Sequence, residues 1–357
     1  MLEAVLLVGG RGTRLRPLTV TTPKPMLAVA GVPFLQHQIA TLHDAGVDHV
    51  VLATSYRPAV FQDYFGDGSA FGLRLECVEE VEPLGTGGAI RNVAGLLDSG
   101  PDDPVVILNG DVLSGHDLAG QVAQHRAHDS DVTLHLVEVE DARAFGCVPT
   151  DVDGRVEAFL EKMPEPVTRW VNAGAYVFRR SVVDSIPASR PVSVERETFP
   201  GLLDSGASVW GFKQTAYWLD LGTPAAFVRG SCDLVLGAVS SSALPGPVGP
   251  ALLLPGASVL GSARVHGGSV VGAGAVVADG AVVDGSVLLD GCTVGAGAEV
   301  VASVVGAGAR VGARTVVRQS VIGDRARLGS DVELVGGARV WPDVVVPDGG
   351  IRFSSDE

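Results

Sequence analysis

Apolar and polar positions divide the chain into two regimes. Up to about residue 235, short apolar runs alternate with stretches in which apolar residues recur every three or four positions. Residues 4–8 form a continuous apolar run closed by glycines, as expected of a strand buried on both faces. Leu35, Ile39 and Leu42 make a helical stripe within residues 34–45, and Gly46 is a natural stop. Residues 49–53 predict the next strand, 87–97 a helix, and 105–108 a short apolar strand running into Asn109-Gly110-Asp111. A helix over 117–127 and a strand over 131–139 follow, and Asp153-Gly154 predicts a hairpin turn between 147–150 and 155–160. The alternation predicts an α/β domain, Rossmann-like, with a mostly parallel sheet and helices on both faces.

Around residues 240–250 (SSSALPGPVGP) the composition turns to Ser, Pro and Gly, which marks a linker. Beyond it a period of six takes over. Val259, Val265, Val271, Val277, Val283 and Leu289 are in phase, and so are Ile322, Leu328, Leu334, Val340 and Val346. Between the two runs the phase slips and several frames fit equally well. One aliphatic residue per six, with small residues between, predicts a parallel β-helix of hexapeptide repeats, taken as left-handed, in which three short strands make each triangular coil. The expected division is a domain over 1–238 and a β-helix over 251–350.

Composition changes this picture little. Much of the glycine excess, 47 in 357 residues, belongs to the repeat region, and a net charge of −15 argues against a nucleic-acid partner. Cys77, Cys147, Cys232 and Cys292 stand far apart without a CxxC pair and read as reduced thiols of a cytoplasmic protein. The first residues carry Glu3 and no basic region, unlike a signal peptide. No apolar stretch approaches the ~20 residues of a membrane span, so no membrane partner is expected.

Candidate chemistry begins with Gly9-Gly10-Arg11-Gly12-Thr13-Arg14, directly after the first strand. Glycines there let backbone N–H groups approach phosphate, and Arg14 adds a bidentate fork. The segment fits neither GxGxxG nor GxxxxGK[ST], and a plain tight turn would look much the same. In Pro23-Lys24-Pro25 the prolines are expected to hold Lys24 in extended backbone, as a preplaced charge or as an ordinary exposed lysine. Asp111 and Asp220 end apolar segments and have the chemistry of Mg²⁺ ligands, or equally of turn residues. Glu161-Lys162 reads as a site pair or a surface ion pair, and Asn172 as a sugar-facing amide or a strand start. No covalent nucleophile is expected, because neither GxSxG nor a Ser/His/Asp set is present.

The segments LVGGRGTRLRPLT, PKPM, EPLGTGGAIRN, LNGDV, FGCVPT, FLEK, NAGAYVF, VSVERETFP and WLDLGTP, in this order, resemble the sugar-nucleotide pyrophosphorylase (nucleotidyltransferase) family. PKPM, VSVERETFP and WLDLGTP are most similar to its mannose-1-phosphate guanylyltransferase branch. The resemblance implies transfer of a nucleotidyl group from a nucleoside triphosphate, GTP in that branch, to a sugar 1-phosphate, α-D-mannose 1-phosphate in that branch. It implies Gly9, Gly10, Gly12, Thr13, Arg14 and Lys24 on the triphosphate, with Gly85 and Thr86, in the segment 82–88, lining base and ribose. It implies Mg²⁺ on Asp111 and Asp220, Lys162 on the sugar phosphate, and Gly146, Glu161 and Asn172 on sugar hydroxyls, with Arg14, Lys24 and Lys162 as the catalytic cations. One departure stands out: the family often has Glu-Lys-Pro, whereas Met163 follows Lys162 here.

Three alternatives remain open at this point. One is a glucose-1-phosphate thymidylyl- or uridylyltransferase of the same family; another is a non-catalytic nucleotide-sugar-binding subunit. The third is an added acyltransferase, disfavoured because His266 is the only histidine of the repeat region. The β-helix is expected to supply a homo-oligomer interface.

Overall fold

The computed structural model describes residues 2–54, 58–80 and 82–351. In it the apolar runs become β1 (Glu3–Leu7), β2 (His49–Thr54), β3 (Arg74–Glu79), β4 (Pro104–Asn109) and β5 (Val132–Glu138). The short β6 (Gly146–Cys147) and β7 (Leu160–Glu161) follow, then β8 (Trp170–Arg179) and β9 (Val209–Lys213). These nine strands form one sheet in a compact unit made of residues up to Gly10 and Gln38–Trp218. Neighbouring helices include α1 (Phe34–Asp44), α2 (Pro58–Phe65), α3 (Gly85–Val93) and α4 (Leu118–Ala127), the last capped by the Asp117 carboxylate on Gly120 N.

The strands β3, β2, β1 and β4 lie side by side in that order and all run parallel. This is half of a doubly wound sheet, and the strand order reverses between β1 and β4. Val5, Val51 and Ile107 are fully buried there. The other side is different: β8 runs antiparallel to β4, β5 and β6. The sheet is therefore mixed, with its parallel order confined to the first half and the β5–β9 pair. The direction of β8 is not legible in its sequence, because a strand covered on both faces reads as an apolar run either way. The hairpin expected at Asp153-Gly154 forms, closed by Gly154 N donating to Asp151 O.

Three histidines are buried beside β5. His116 stacks on His135 with ring centroids 4.1 Å apart, and His125 bonds Thr133. Burial pushes His116 and His125 down to about 4, with the Arg179 charge adding to the shift of His125. Burial, helped by His116, pushes His135 down to about 2. In the unfolded chain each would titrate near 6.5. Below about pH 6.5 the unfolded state thus binds more protons, and stability falls as the pH drops towards 4. Each histidine removes up to roughly 1.4 kcal/mol per pH unit in that window. Urea unfolding at pH 7, 6 and 5 checks this: the midpoint should fall stepwise, and His135→Leu should flatten the fall. A constant midpoint would reject it.

The second compact unit consists of Arg11–His37 and the chain from Leu219. The helix α5 (Pro224–Leu236), opened by Thr223 and closed by left-handed Gly237, leads through turns into three parallel sheets of six, six and five strands. Their arrangement fits a left-handed β-helix. The interior holds Val271, Val277 and Val283, then Leu288, Val294 and Val300, and then Val305, Val311 and Val317.

Each coil in this stretch spans 17 residues, as the pairs Val271↔Leu288 and Leu288↔Val305 show. Two sides therefore take six residues and the third takes five. This accounts for the phase slip and corrects one assignment: Leu288 fills the prism, while Leu289 is only half-buried outside it. At the shortened corner stands a ladder of buried serines. Ser286 N donates to Ser269 Oγ (3.0 Å), Ser303 N to Ser286 Oγ (3.1 Å) and Ser320 N to Ser303 Oγ (3.0 Å). The hydroxyls of Ser286, Ser303 and Ser320 each donate in turn to the carbonyl two residues before. The buried corner is thus fully hydrogen-bonded. His266 faces outward, 2.9 Å from Asp284.

Candidate active site

In a doubly wound sheet, ligands bind beyond the carboxyl ends of the strands where their order reverses. Here that point lies between β1 and β4, and glycine follows each strand within two residues. Beyond β1, Val8 N is held by Ala53 O, and Gly9 and Gly10 follow, the latter at φ 108. Beyond β4, Gly110 N donates to Leu7 O at 2.9 Å. A Cβ at Gly110 would lie 2.5 Å from that oxygen, so only glycine fits. This contact fixes Asp111, half-buried, beside the end of β1. The first unit thereby brings Gly9, Gly10 and Asp111 to one edge.

Asn172 reaches the same region through a bulge in β8. The register shifts between Asn172 and Tyr176, with Gly174 at φ 76, and a Cβ on Gly174 would meet Asn109 Nδ2 at 2.7 Å. Asn172 Nδ2 donates to Tyr176 Oη (2.9 Å) and its Oδ1 accepts from Gly174 N (3.1 Å). Its amide is thus oriented by the strand, and burial pushes the Tyr176 phenol well above its ordinary range. Gly146 sits opposite Glu161, where a Cβ would come within 3.0 Å of Glu161 Oε2. The Lys162 ammonium is 3.7 Å from Glu161 Oε1 and largely exposed. Lys162 has φ 49, in the left-handed region. Proline after a residue favours extended backbone at that residue, so Met163 in place of proline suits this conformation.

Gly85 and Thr86 open α3. Gly87 N donates to Val192 O, and Cβ atoms at Gly85 and Gly87 would meet Val192 at 2.7 and 2.9 Å. Thr86 Oγ1 donates to Glu195 Oε2 and accepts from Val194 N, both at 2.9 Å. The glycines therefore admit the segment 190–194, and the threonine is held by Val194 and Glu195. That role for VSVERETFP was not visible in the sequence, since the two segments lie about a hundred residues apart.

The second unit carries the remaining residues. Gly12, at φ 55, precedes a 3-10 turn over Thr13–Leu15, and Thr19 Oγ1 donates to Gly12 O at 2.8 Å. A Cβ on Gly12 would stand 3.1 Å from Lys24 Cβ. Lys24 is not in extended backbone as expected. It opens a 3-10 turn, Lys24–Met26, closed by Met26 N on Pro23 O (2.9 Å) and Leu27 N on Lys24 O (3.1 Å). Pro25 is compatible because the amide it lacks would have no partner in a first turn.

Asp220 ends a short strand, Trp218–Asp220, outside the nine-stranded sheet. Its two oxygens lie 3.9 Å from Lys24 Nζ and 3.9 Å from Arg14 Nη2. The Lys24 side chain is only 12% exposed, that of Arg14 66%. Gly222 makes room for Arg14, since a Cβ there would meet its Nη2 at 2.5 Å. The result is a carboxylate at a strand end between two cations, each of which lies in a 3-10 turn.

Among the described residues one group of three potential metal ligands lies together: Glu3, His49 and Asp98. It belongs to the amino end of β1, remote along the strand from Gly9. Glu3 accepts from His49 Nδ1 (2.7 Å), Ser99 N (2.7 Å) and Asp98 N (3.0 Å). Burial raises its pKa, but these hydrogen bonds outweigh it and hold the carboxyl below its usual range. Arg74 Nη2 donates to Asp98 Oδ2 and lies beside His49. A guanidinium within the group marks it as an ion-pair network tying strand ends together.

Comparison with known proteins adds the following. A family model described as nucleotidyl transferase matches residues 3–235, and one described as GMPPB C-terminal domain matches 247–349. The chain is 56% identical to a mannose-1-phosphate guanylyltransferase of Mycobacterium tuberculosis over 99% of this chain and 98% of that one. It is 36% identical to a mannose-1-phosphate guanylyltransferase catalytic subunit beta of Drosophila pseudoobscura pseudoobscura, covering 74% and 72%. Among solved structures, HddC from Yersinia pseudotuberculosis complexed with GMP-PN aligns with TM-score 0.55 and 29% identity, over 65% of this chain and 98% of that one. A putative glucose-1-phosphate thymidylyltransferase from Bacillus anthracis aligns with TM-score 0.59 at 21% identity, over 65% and 94%, a likeness of fold alone.

Proposed function

The chain belongs to the nucleotidyl transferase family, and from that premise we propose that it transfers GMP from GTP to α-D-mannose 1-phosphate, giving GDP-mannose and pyrophosphate. The observation that carries the reading is the pairing of Arg14 and Lys24 across Asp220, 3.9 Å from each. The choice of guanine and mannose rests on the near-full-length likeness to the Mycobacterium tuberculosis enzyme.

Both reactants are polyanions, so the protein must offset their repulsion and align them. An oxygen of the sugar phosphate attacks the α-phosphorus in line, and pyrophosphate leaves. Gly9, Gly10, Gly12 and Thr13 line the triphosphate with backbone N–H groups, and Arg14 and Lys24 counter its charge. Gly85 and Thr86 border the base and ribose. Lys162 holds the sugar phosphate, with Gly146, Glu161 and Asn172 on the sugar hydroxyls. Positioning and charge stabilisation supply the rate enhancement.

Asp111 and Asp220 would hold Mg²⁺, since both offer the hard carboxylate oxygens that this ion takes. When bound, the ion neutralises phosphate charge and makes the phosphorus more electrophilic. Pyrophosphate release from the purified chain tests the whole reading. GTP with mannose 1-phosphate should exceed dTTP or UTP with glucose 1-phosphate by about a hundredfold or more, and comparable rates would overturn the assignment.

The reading extends to a cytoplasmic homo-oligomer assembled through the β-helix, whose last coils leave Trp341, Val344 and Val345 exposed at an open edge. Sedimentation should give a multiple of 36.6 kDa, and a monomer would refute that part. No helix among the described residues is long and apolar enough to cross a membrane.

A further inference from the structure

The residues that follow Gly10 pack, by compactness, with the β-helix. Two contacts show how. Arg339, on the outer face of a late coil, donates through Nη1 to Arg14 O (2.9 Å) and to Arg16 O (2.8 Å). Thr21 Oγ1, seven residues after Arg14, donates to Asp324 Oδ2 (2.7 Å), while Asp324 Oδ1 accepts from Ala307 N (3.0 Å) of the preceding coil. The loop that carries Arg14 is therefore held at both ends of its turns by side chains of the repeat region.

The Arg339 side chain stands outside the packed interior of the β-helix. Its neighbour Val340 fills the prism, and the arginine side chain itself is exposed. Its two acceptors are main-chain oxygens on either side of Leu15, which is buried. With Leu15 as a fixed point and both flanking carbonyls tied, Arg14 is left few conformations. A side chain 66% exposed, as that of Arg14 is, otherwise gains little order from its surroundings. Preordering it lowers the cost of binding an anion, because less freedom is lost on contact.

We infer that Arg339 is a positioning residue for nucleotide binding: the β-helix, through Arg339 and secondarily Asp324, sets the conformation of the triphosphate loop. Arg339 acts through two carbonyls and not on the substrate itself. The inference rests on the proposed reading of the loop as the triphosphate site.

The test uses the full-length chain with GTP, mannose 1-phosphate and Mg²⁺. In Arg339→Ala, KM for GTP should rise on the order of tenfold, the expected effect of losing two charge-assisted hydrogen bonds that order the site. KM for mannose 1-phosphate should stay within about twofold. Arg339→Lys, which retains a donor for one carbonyl, should recover part of the GTP effect, and Thr21→Val should move KM for GTP in the same direction. Thermal midpoints are measured alongside. Should Arg339→Ala fail to fold, Arg339→Lys and Thr21→Val carry the comparison. Unchanged KM for GTP in folded variants, or equal change of both KM values without rescue by lysine, overturns the inference. If the unmodified chain releases no pyrophosphate from any triphosphate, the functional reading itself has failed, an outcome distinct from a normal parent with unaffected variants.

Discussion

Asp111→Asn should leave the chain folded and lower guanylyl transfer about a thousandfold or more. Asparagine matches aspartate in shape, and the position is set by its neighbour: Gly110 bonds Leu7 O in a space that admits no Cβ. The backbone there is held by β1 and β4, so the exchange removes a charge without moving the chain. If Asp111 were only a turn residue, the cost would be a fraction of about 1 kcal/mol in stability and nothing in rate. If it binds the divalent ion, the variant loses the negative ligand that a hard cation requires. Pyrophosphate release and the thermal midpoint, measured together, separate the two. A rate within tenfold of the parent would remove Asp111 from the site.

Lys24→Met should cost about a hundredfold to a thousandfold in kcat/KM. The methionine fills similar volume, which matters because the Lys24 side chain is 12% exposed and its Cβ stands close to Gly12. What disappears is the buried member of the pair flanking Asp220. Arg14, being far more exposed, is better screened by water and cannot replace it. Lys24→Arg should not rescue activity, since a planar guanidinium needs more room than a side chain only 12% exposed leaves. Full activity in Lys24→Met, with both substrates saturating and at low concentration, would exclude Lys24 from the reaction.

What the sequence disclosed depended on range. The strand at residues 4–8, the helix stripe of Leu35, Ile39 and Leu42, and the hairpin at Asp153-Gly154 rest on neighbours in the chain, and all three are present. The six-residue period revealed the β-helix because every coil repeats the same local demand for one aliphatic residue. The missing residue per coil was hidden, since the Ser269–Ser320 ladder is satisfied only between coils. The antiparallel run of β8 was hidden for a similar reason: direction is a property of pairing, and apolar content does not record it.

The candidate site divides in the same way. Gly9, Gly10, Asp111 and Lys24 stood out because strand ends, glycines and prolines are local signals. The 3-10 turn at Lys24 did not, because Pro25 is compatible with either extended backbone or a first turn. That Thr86 would be held by Glu195, and Asn172 by Tyr176 across a bulge, depends on contacts the chain makes only when folded. Arg339 gave no signal at all, since an arginine on the outer face of a coil is what any repeat of this kind contains.

The stacked coils also act as a ruler. Each one advances the structure by one strand spacing, about 4.8 Å, and the aliphatic frame allows changes of length only in whole coils. Adding a coil of 17 residues before Arg339 would keep every aliphatic residue in the prism. It would also displace the arginine by more than the reach of a hydrogen bond, leaving the carbonyls of Arg14 and Arg16 behind. The number of coils in this chain is thus a measured distance, and a lineage could lengthen the repeat only by inventing a new anchor for the loop.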